Sequence, residues 1–161
     1  MSDYIPQKGD YGVVKTNGII ARLIQLFTVS RWNHAFIYAG NSLIIEANPK
    51  GVEFSPLSKY PKIAWNRHED ITPSQRDFIV SYARIQFGKP YNFILIGNIL
   101  LRVVGLKMLA RTRLMMKLAQ TNSYICSELV AESYHKAGVE LSPKACDLVT
   151  PGDLAERLIY Q

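Results

Sequence analysis

Cysteine and histidine are the residues weighed first in this chain of 161 residues, which has 2 cysteines and 3 histidines. Cys126 has the more telling setting, within Asn122-Ser123-Tyr124-Ile125-Cys126-Ser127-Glu128-Leu129-Val130. This run reads as the start of a helix. Asn122 and Ser123 are N-cap types, and a carboxylate at Glu128 suits the dipole of the first turns. Leu129, Val130, Ser133, Tyr134 and Ala137 recur at the spacing of a buried helix face, and Gly138 stops the helix after Lys136. A cysteine in a first helical turn meets unpaired N–H groups and a partial positive charge, which favour thiolate. The same N–H groups could receive the oxyanion of acyl transfer. Against this stands the plain reading of a small, buried, inert thiol.

A thiol nucleophile needs a base, and the base needs a group that orients it. His135 lies on the same helix, about 13 Å along its axis from Cys126, too far to serve. His68, in Asn66-Arg67-His68-Glu69-Asp70, reads as the exposed polar end of a strand. His34 opens Asn33-His34-Ala35-Phe36-Ile37-Tyr38, where His34, Phe36 and Tyr38 share one face of a strand. Glu46 stands alone in the apolar run Leu43-Ile44-Ile45-Glu46-Ala47. Each also has a plain structural role, His34 as a hydrogen-bonded core residue and Glu46 as the exposed face of an edge strand.

Hairpin register separates the two readings. With a loop of Gly40-Asn41 alone, Ala39 faces Ser42, His34 faces Ala47, and Glu46 falls on the opposite side of the sheet. With a loop of Gly40-Asn41-Ser42, Ala39 pairs with Leu43 and Glu46 lies opposite Phe36. Glu46 is then a diagonal neighbour of His34, about 7–8 Å away at the backbone and within reach of a long side chain. Asn48 would stand directly opposite His34 as a second candidate orienter. A triad therefore requires an odd-length loop. Tyr124 and Tyr91 are candidate oxyanion or substrate contacts and Trp32 a candidate cleft wall, with core packing as the alternative for all of them.

The elements that would position these residues follow from pattern. Short strands are expected at Tyr11–Lys15, Trp32–Tyr38, Leu43–Ala47, Val52–Phe54 and Ile63–Trp65. A helix is expected over Ile19–Phe27 from its periodicity. Another should start at Thr72-Pro73-Ser74-Gln75, with cap and N1 proline, and run to Phe87 before Gly88. A last short helix should start near Pro151, capped by Thr150. The class is α+β: a small, mostly antiparallel sheet or half-barrel packed against helices. Length favours one domain over 1–161.

The formal net charge of +6 is unevenly placed. From Phe78 to Ser127 there is no acidic residue, yet Arg84, Lys89, Arg102, Lys107, Arg111, Arg113 and Lys117 all fall there. Within it, residues 91–118 form an apolar and basic insertion. Such a zone suits an anionic membrane surface, with Arg102, Lys107, Arg111, Arg113 and Lys117 as its contacts, or packing against a second copy as a homodimer. Nucleic acid is the weakest reading, since no nucleic-acid-binding signature accompanies the charge. No metal or cofactor is called for. The opening residues show no basic-then-apolar leader, and the cysteines suggest no disulfide framework. A reducing, cytoplasmic setting is the expectation, at most peripheral to a membrane.

The order of the parts resembles the circularly permuted papain-like amidases, the YiiX/YebB-type branch of the NlpC superfamily. The pieces that carry it are Gly9-Asp10, Asn33-His34-Ala35-Phe36-Ile37-Tyr38, Ile45-Glu46-Ala47, Gly88-Lys89-Pro90-Tyr91-Asn92, Tyr124-Ile125-Cys126-Ser127-Glu128-Leu129-Val130 and Val149-Thr150-Pro151-Gly152-Asp153-Leu154. The chain is more distantly similar to the lecithin:retinol acyltransferase-like proteins. The resemblance implies a Cys126–His34–Glu46 triad and hydrolysis, or acyl transfer, at an amide, ester or thioester carbonyl. The substrate would be a peptide or a lipid-linked amide. The sequence departs from the family where a small residue, commonly Gly, soon follows the strand histidine; here Ala35-Phe36 fills the place. The competing reading is a non-enzymatic module that binds a membrane or a partner and keeps only a vestigial cleft.

Overall fold

The computed structural model describes residues 4–18, 21–22, 24–25, 29–66, 70–94, 97 and 122–156. Its frame is one sheet of five strands: β1 (Tyr11–Val14), β2 (His34–Gly40), β3 (Leu43–Asn48), β4 (Gly51–Pro56) and β5 (Ala64–Asn66), in the order β4-β3-β2-β1-β5. Neighbouring strands are antiparallel throughout. The helices are α1 (Pro73–Ile85), α2 (Cys126–Lys136) and α3 (Pro151–Ala155), with 3-10 turns at Leu57–Lys59 and Cys146–Leu148. This is the expected α+β class.

Strand alternation sorts side chains into two cores. Tyr11, Val13, Ala35, Ile37, Ile45 and Ala47 face the helices and pack with Ile79, Val80 and Ala83 of α1 and Leu129, Val130 and Tyr134 of α2. On the other side, Val14, Phe36, Ile44 and Trp65 are joined by Tyr4, Tyr38 and Tyr60. Phe36, where the resembled family favours a small residue nearby, belongs to this second layer. It stacks on Tyr60 with centroids 5.4 Å apart and meets the edge of Trp65 at 5.7 Å. Gly12 is its partner on β1. A Cβ at Gly12 would lie 2.6 Å from Phe36 Cζ, so the missing side chain makes room for the ring.

The β2–β3 hairpin meets the register requirement by a different route from a three-residue loop. Ile37 pairs with Ile45 and Tyr38 with Ile44, but Gly40 pairs with Leu43, so the register shifts between Tyr38 and Gly40. The loop is Asn41-Ser42, both at positive φ (52° and 57°), the conformation that a two-residue hairpin turn takes. One extra residue in β2 supplies the odd count. Next to the turn the strands take the register of the two-residue loop Asn41-Ser42; beyond the irregularity Glu46 comes onto the face of Phe36 and His34.

Local chemistry explains the helices. Thr72 and Gln75 form the expected reciprocal cap of α1, with Gln75 N donating to Thr72 Oγ1 (3.2 Å) and Thr72 N donating to Gln75 Oε1 (3.0 Å). This helix ends at Ile85, and Phe87 lies in the turn before Gly88, whose φ is 80°. The start of α2 differs from expectation. Asn122 and Ser123 do not cap it, and Ile125 holds the N-cap position. Tyr124 N donates to Pro90 O and Asn92 N donates to Tyr124 O, both at 3.0 Å, which keeps the chain extended up to Ile125. Glu128 compensates by accepting the Ile125 N–H at 3.1 Å. Thr150 caps α3 as expected, accepting from Asp153 N at 3.2 Å.

His68, Arg102, Lys107, Arg111, Arg113 and Lys117 lie outside the described residues, as does most of the 91–118 insertion. Among the described residues, no helix is long and apolar enough to cross a membrane.

Candidate active site

His34 is the first residue of β2, and Cys126 is the first residue of α2, which packs on β2. The end of the strand and the N-terminus of the helix therefore bring the imidazole and the thiol together. Both are buried, at 7% and 2% exposure, and the charge of Cys126 acts on the His34 ring. His34 Nε2 lies 2.6 Å from Glu46 Oε2. With Nε2 committed to the carboxylate, Nδ1 is the ring nitrogen available for proton exchange with a thiol.

Glu46 is fully buried, and its carboxylate is saturated with donors. Ser55 Oγ donates to Oε1 at 2.5 Å, Lys59 Nζ donates to Oε1 at 2.5 Å, and Tyr60 OH donates to Oε2 at 2.6 Å. Burial alone would raise the Glu46 pKa. The hydrogen bond and charge of His34 and the hydrogen bonds of Lys59 and Ser55 outweigh it, holding the carboxyl below its usual range. Burial likewise pulls His34 down. The charge and hydrogen bond of Cys126, then those of Glu46, overcome that pull and lift the imidazole to about 9. That lift is drawn first from the charge of Cys126, so the imidazolium is favoured as the partner of a thiolate.

Asn48 is not used at the ring. Its Nδ2 donates to Glu53 Oε1 at 2.5 Å and its Oδ1 accepts from Lys50 N at 2.9 Å, so it closes the β3–β4 turn. Burial first, and then the charge of Cys126, raise the hydroxyl pKa of Tyr91. The Tyr124 hydroxyl instead lies 3.5 Å from that of Tyr82, which donates to Glu132 at 2.8 Å, and Lys89 sits over the Tyr124 ring at 5.3 Å. Trp32 is half-buried against the helix-side core with the Arg31 guanidinium over its ring at 4.8 Å. His135 pairs with Glu140 at 2.5 Å on the exposed end of α2.

Three residues of the site, Ser55, Lys59 and Tyr60, escape the sequence reading. Ser55 left a trace, since it lies two residues from Glu53 on β4, opposite Ile44, on the face that carries Glu46. Lys59 and Tyr60 left none, because the 3-10 turn Leu57–Lys59 folds them back over the sheet in a way that no strand period announces.

No family model matches the chain. The chain is similar to a curated Escherichia coli (strain K12) protein named "Probable lipoprotein peptidase YaeF", with 26% identity over 168 aligned residues. The relationship is distant and peptidase-like. The match covers 91% of this chain and 61% of the relative, so the chain spans about three fifths of that protein's length.

Proposed function

We propose that the chain is a cysteine hydrolase of permuted papain-like fold, with Cys126 as nucleophile, His34 as base and Glu46 as the group that orients the base. The observation that carries this reading is a buried imidazole hydrogen-bonded to Glu46 through Nε2 and acted on by the charge of Cys126, the first residue of α2. The proton of the thiol passes to His34 Nδ1, and the thiolate attacks a carbonyl carbon. The N-terminal N–H groups of α2 receive the oxyanion. His34 returns its proton to the leaving amine, alcohol or thiol, giving an acyl-enzyme. A water molecule, deprotonated by His34, then releases the acid and restores the thiol.

The printed name of the relative, a lipoprotein peptidase, supports a peptide or lipid-linked acyl substrate as the class to test. The test is a panel of electrophilic acyl probes followed by mass mapping of the labelled residue. Labelling at Cys126 that is lost in Cys126→Ala and reduced in His34→Ala supports the reading. Equal labelling of Cys126 and Cys146, insensitive to His34, leaves a binding module with a vestigial cleft.

A further inference from the structure

An orienting carboxylate is useful only if it stays ionised and in one rotamer, and a fully buried one must be held against both losses. The donors around Glu46 divide that work. Tyr60 OH shares Oε2 with His34 Nε2, each at 2.6 Å, while Lys59 Nζ and Ser55 Oγ close on Oε1 at 2.5 Å. Both oxygens are thus fixed from two directions. Tyr60 is itself held flat against Phe36, with rings 5° from parallel, and its centroid lies 5.6 Å from that of His34. The Lys59 side chain is 37% exposed, so its stem reaches from solvent to bring a positive charge onto a carboxylate that has no exposure. If Cys126 and His34 form a thiolate–imidazolium pair, Glu46 would leave the cluster with a net negative charge; Lys59 neutralises it.

We infer that Lys59 and Tyr60 are positioning residues, which hold the Glu46 carboxylate so that it takes the Nε2 side of His34 and leaves Nδ1 to the Cys126 sulfur. They act through Glu46 and not on the reacting atoms. The catalytic consequence rests on the proposed hydrolase reading; the effect on the ring does not.

The test uses the full chain and the variants Tyr60→Phe, Lys59→Met, Lys59→Arg and Tyr60→Phe/Lys59→Met. Proton–nitrogen NMR follows the His34 ring at neutral pH, and iodoacetamide follows Cys126 against Cys146 as internal reference. The native protein should show a far-downfield, slowly exchanging Nε2–H signal from the bond to Glu46. The double variant should lose or broaden that signal, and Cys126 alkylation should slow by about tenfold, the change that a lost hydrogen bond to a charged group carries. Lys59→Arg should keep both properties, because it keeps a cation on Oε1. A double variant that unfolds cooperatively like the native protein, yet keeps signal and rate, overturns the inference. Should the double variant fail to fold, Tyr60→Phe alone decides, since it removes only a hydroxyl; an unchanged signal and rate there overturn the role of Tyr60, and loss of either supports it. Failure of the hydrolase reading is distinguishable: native Cys126 would then react no faster than Cys146, while the NMR comparison would still report on Glu46.

Discussion

Glu46 Oε2 stands 2.6 Å from His34 Nε2 across two neighbouring strands, with the carboxylate fully buried. The contact exists because the β2–β3 register shifts between Tyr38 and Gly40. A buried carboxylate with four hydrogen-bonding partners cannot be exchanged for an amide without loss. In Glu46→Gln, the amide NH2 would face donors where the native oxygen accepts from them. Breaking a buried charged pair costs about 3–5 kcal/mol. We expect Glu46→Gln to lose stability of that order in urea unfolding, and Cys126 alkylation to slow. Native-like stability in Glu46→Gln would mean that the carboxylate is not ionised in the fold.

The two thiols should differ in kind. Cys146 begins a 3-10 turn, and its pKa is raised by burial first and then by Glu132, Glu140 and Asp147. Cys126 acts on an imidazole whose pKa is lifted to about 9. Iodoacetamide at neutral pH should therefore modify Cys126 ahead of Cys146 despite its deeper burial, and Cys126→Ala should abolish hydrolysis while the protein stays folded. Loss of activity in Cys146→Ala with retention in Cys126→Ala would reverse the assignment.

Much of this was legible in the sequence, for identifiable reasons. The Thr72–Gln75 and Thr150–Asp153 caps are local chemistry and were readable as such. So was the face shared by His34, Phe36 and Tyr38, because strand period is a local property. The loop was not: Gly40, Asn41 and Ser42 all suit a turn, and only tertiary packing selects Asn41-Ser42 with a shift before it. The N-cap of α2 was misplaced because Tyr124 is drawn into backbone bonds with Pro90 and Asn92, a pairing between segments far apart in sequence. Lys59 and Tyr60 reach Glu46 for the same non-local reason, and Asn48 was diverted by its nearer neighbour Glu53.

Stability should depend on pH through the His34–Glu46 pair with a definite sign. His34 moves from 6.5 up to about 9 on folding, so its contribution is fully present below 6.5 and is lost as pH rises through 9. Glu46 moves the other way, so its contribution is present above its ordinary 4.5 and is lost as pH falls toward its lowered folded value. Denaturant midpoints should decline from pH 6.5 to 9 in the native protein, less whatever part of the His34 proton is taken from the thiol, since that transfer leaves the proton count unchanged. The decline should be shallower in His34→Gln, and partly so in Cys126→Ala, which removes the leading cause of the upward shift. Parallel slopes in all three would show that His34 does not carry the pH dependence.

Gly51 opens β4 at φ 114°, and a Cβ there would come within 2.6 Å of Lys89 O. That carbonyl accepts the Val52 N–H at 2.8 Å, and this strip of chain leads directly to Tyr91, whose hydroxyl the charge of Cys126 acts on. Gly51→Ala should cost about 1–3 kcal/mol, as overpacking does, with added strain from the left-handed backbone. The Cys126 alkylation rate should change with it, because Lys89, Pro90 and Tyr91 must shift. A melting temperature and rate equal to the native values would show that this approach is loose in solution.

The choice between a soluble peptide and a lipid-linked substrate turns on residues 93–109, whose apolar run is interrupted by Arg102 and Lys107. A central charge costs about 2.5–3.5 kcal/mol even on lenient insertion scales, so a spanning helix is a poor reading of this run. An interfacial segment tolerates those charges, because apolar side chains meet acyl chains while basic ones meet headgroups. Arg111, Arg113 and Lys117 follow immediately, with no acidic residue between Phe78 and Ser127 to offset them. Each basic residue near an anionic surface contributes about 1 kcal/mol, and the attraction is screened by salt. On the lipid-linked reading, the protein should sediment with vesicles containing anionic lipid at low salt and release as salt rises. Changing Arg111, Arg113 and Lys117 to Gln should weaken binding, while thiol reactivity at Cys126 stays as it was. Neutral vesicles should bind poorly. Absence of binding to anionic vesicles at low salt would remove the reason to prefer a lipid-linked substrate and would direct the search to soluble peptides and to a second copy of the chain as the cover for this segment.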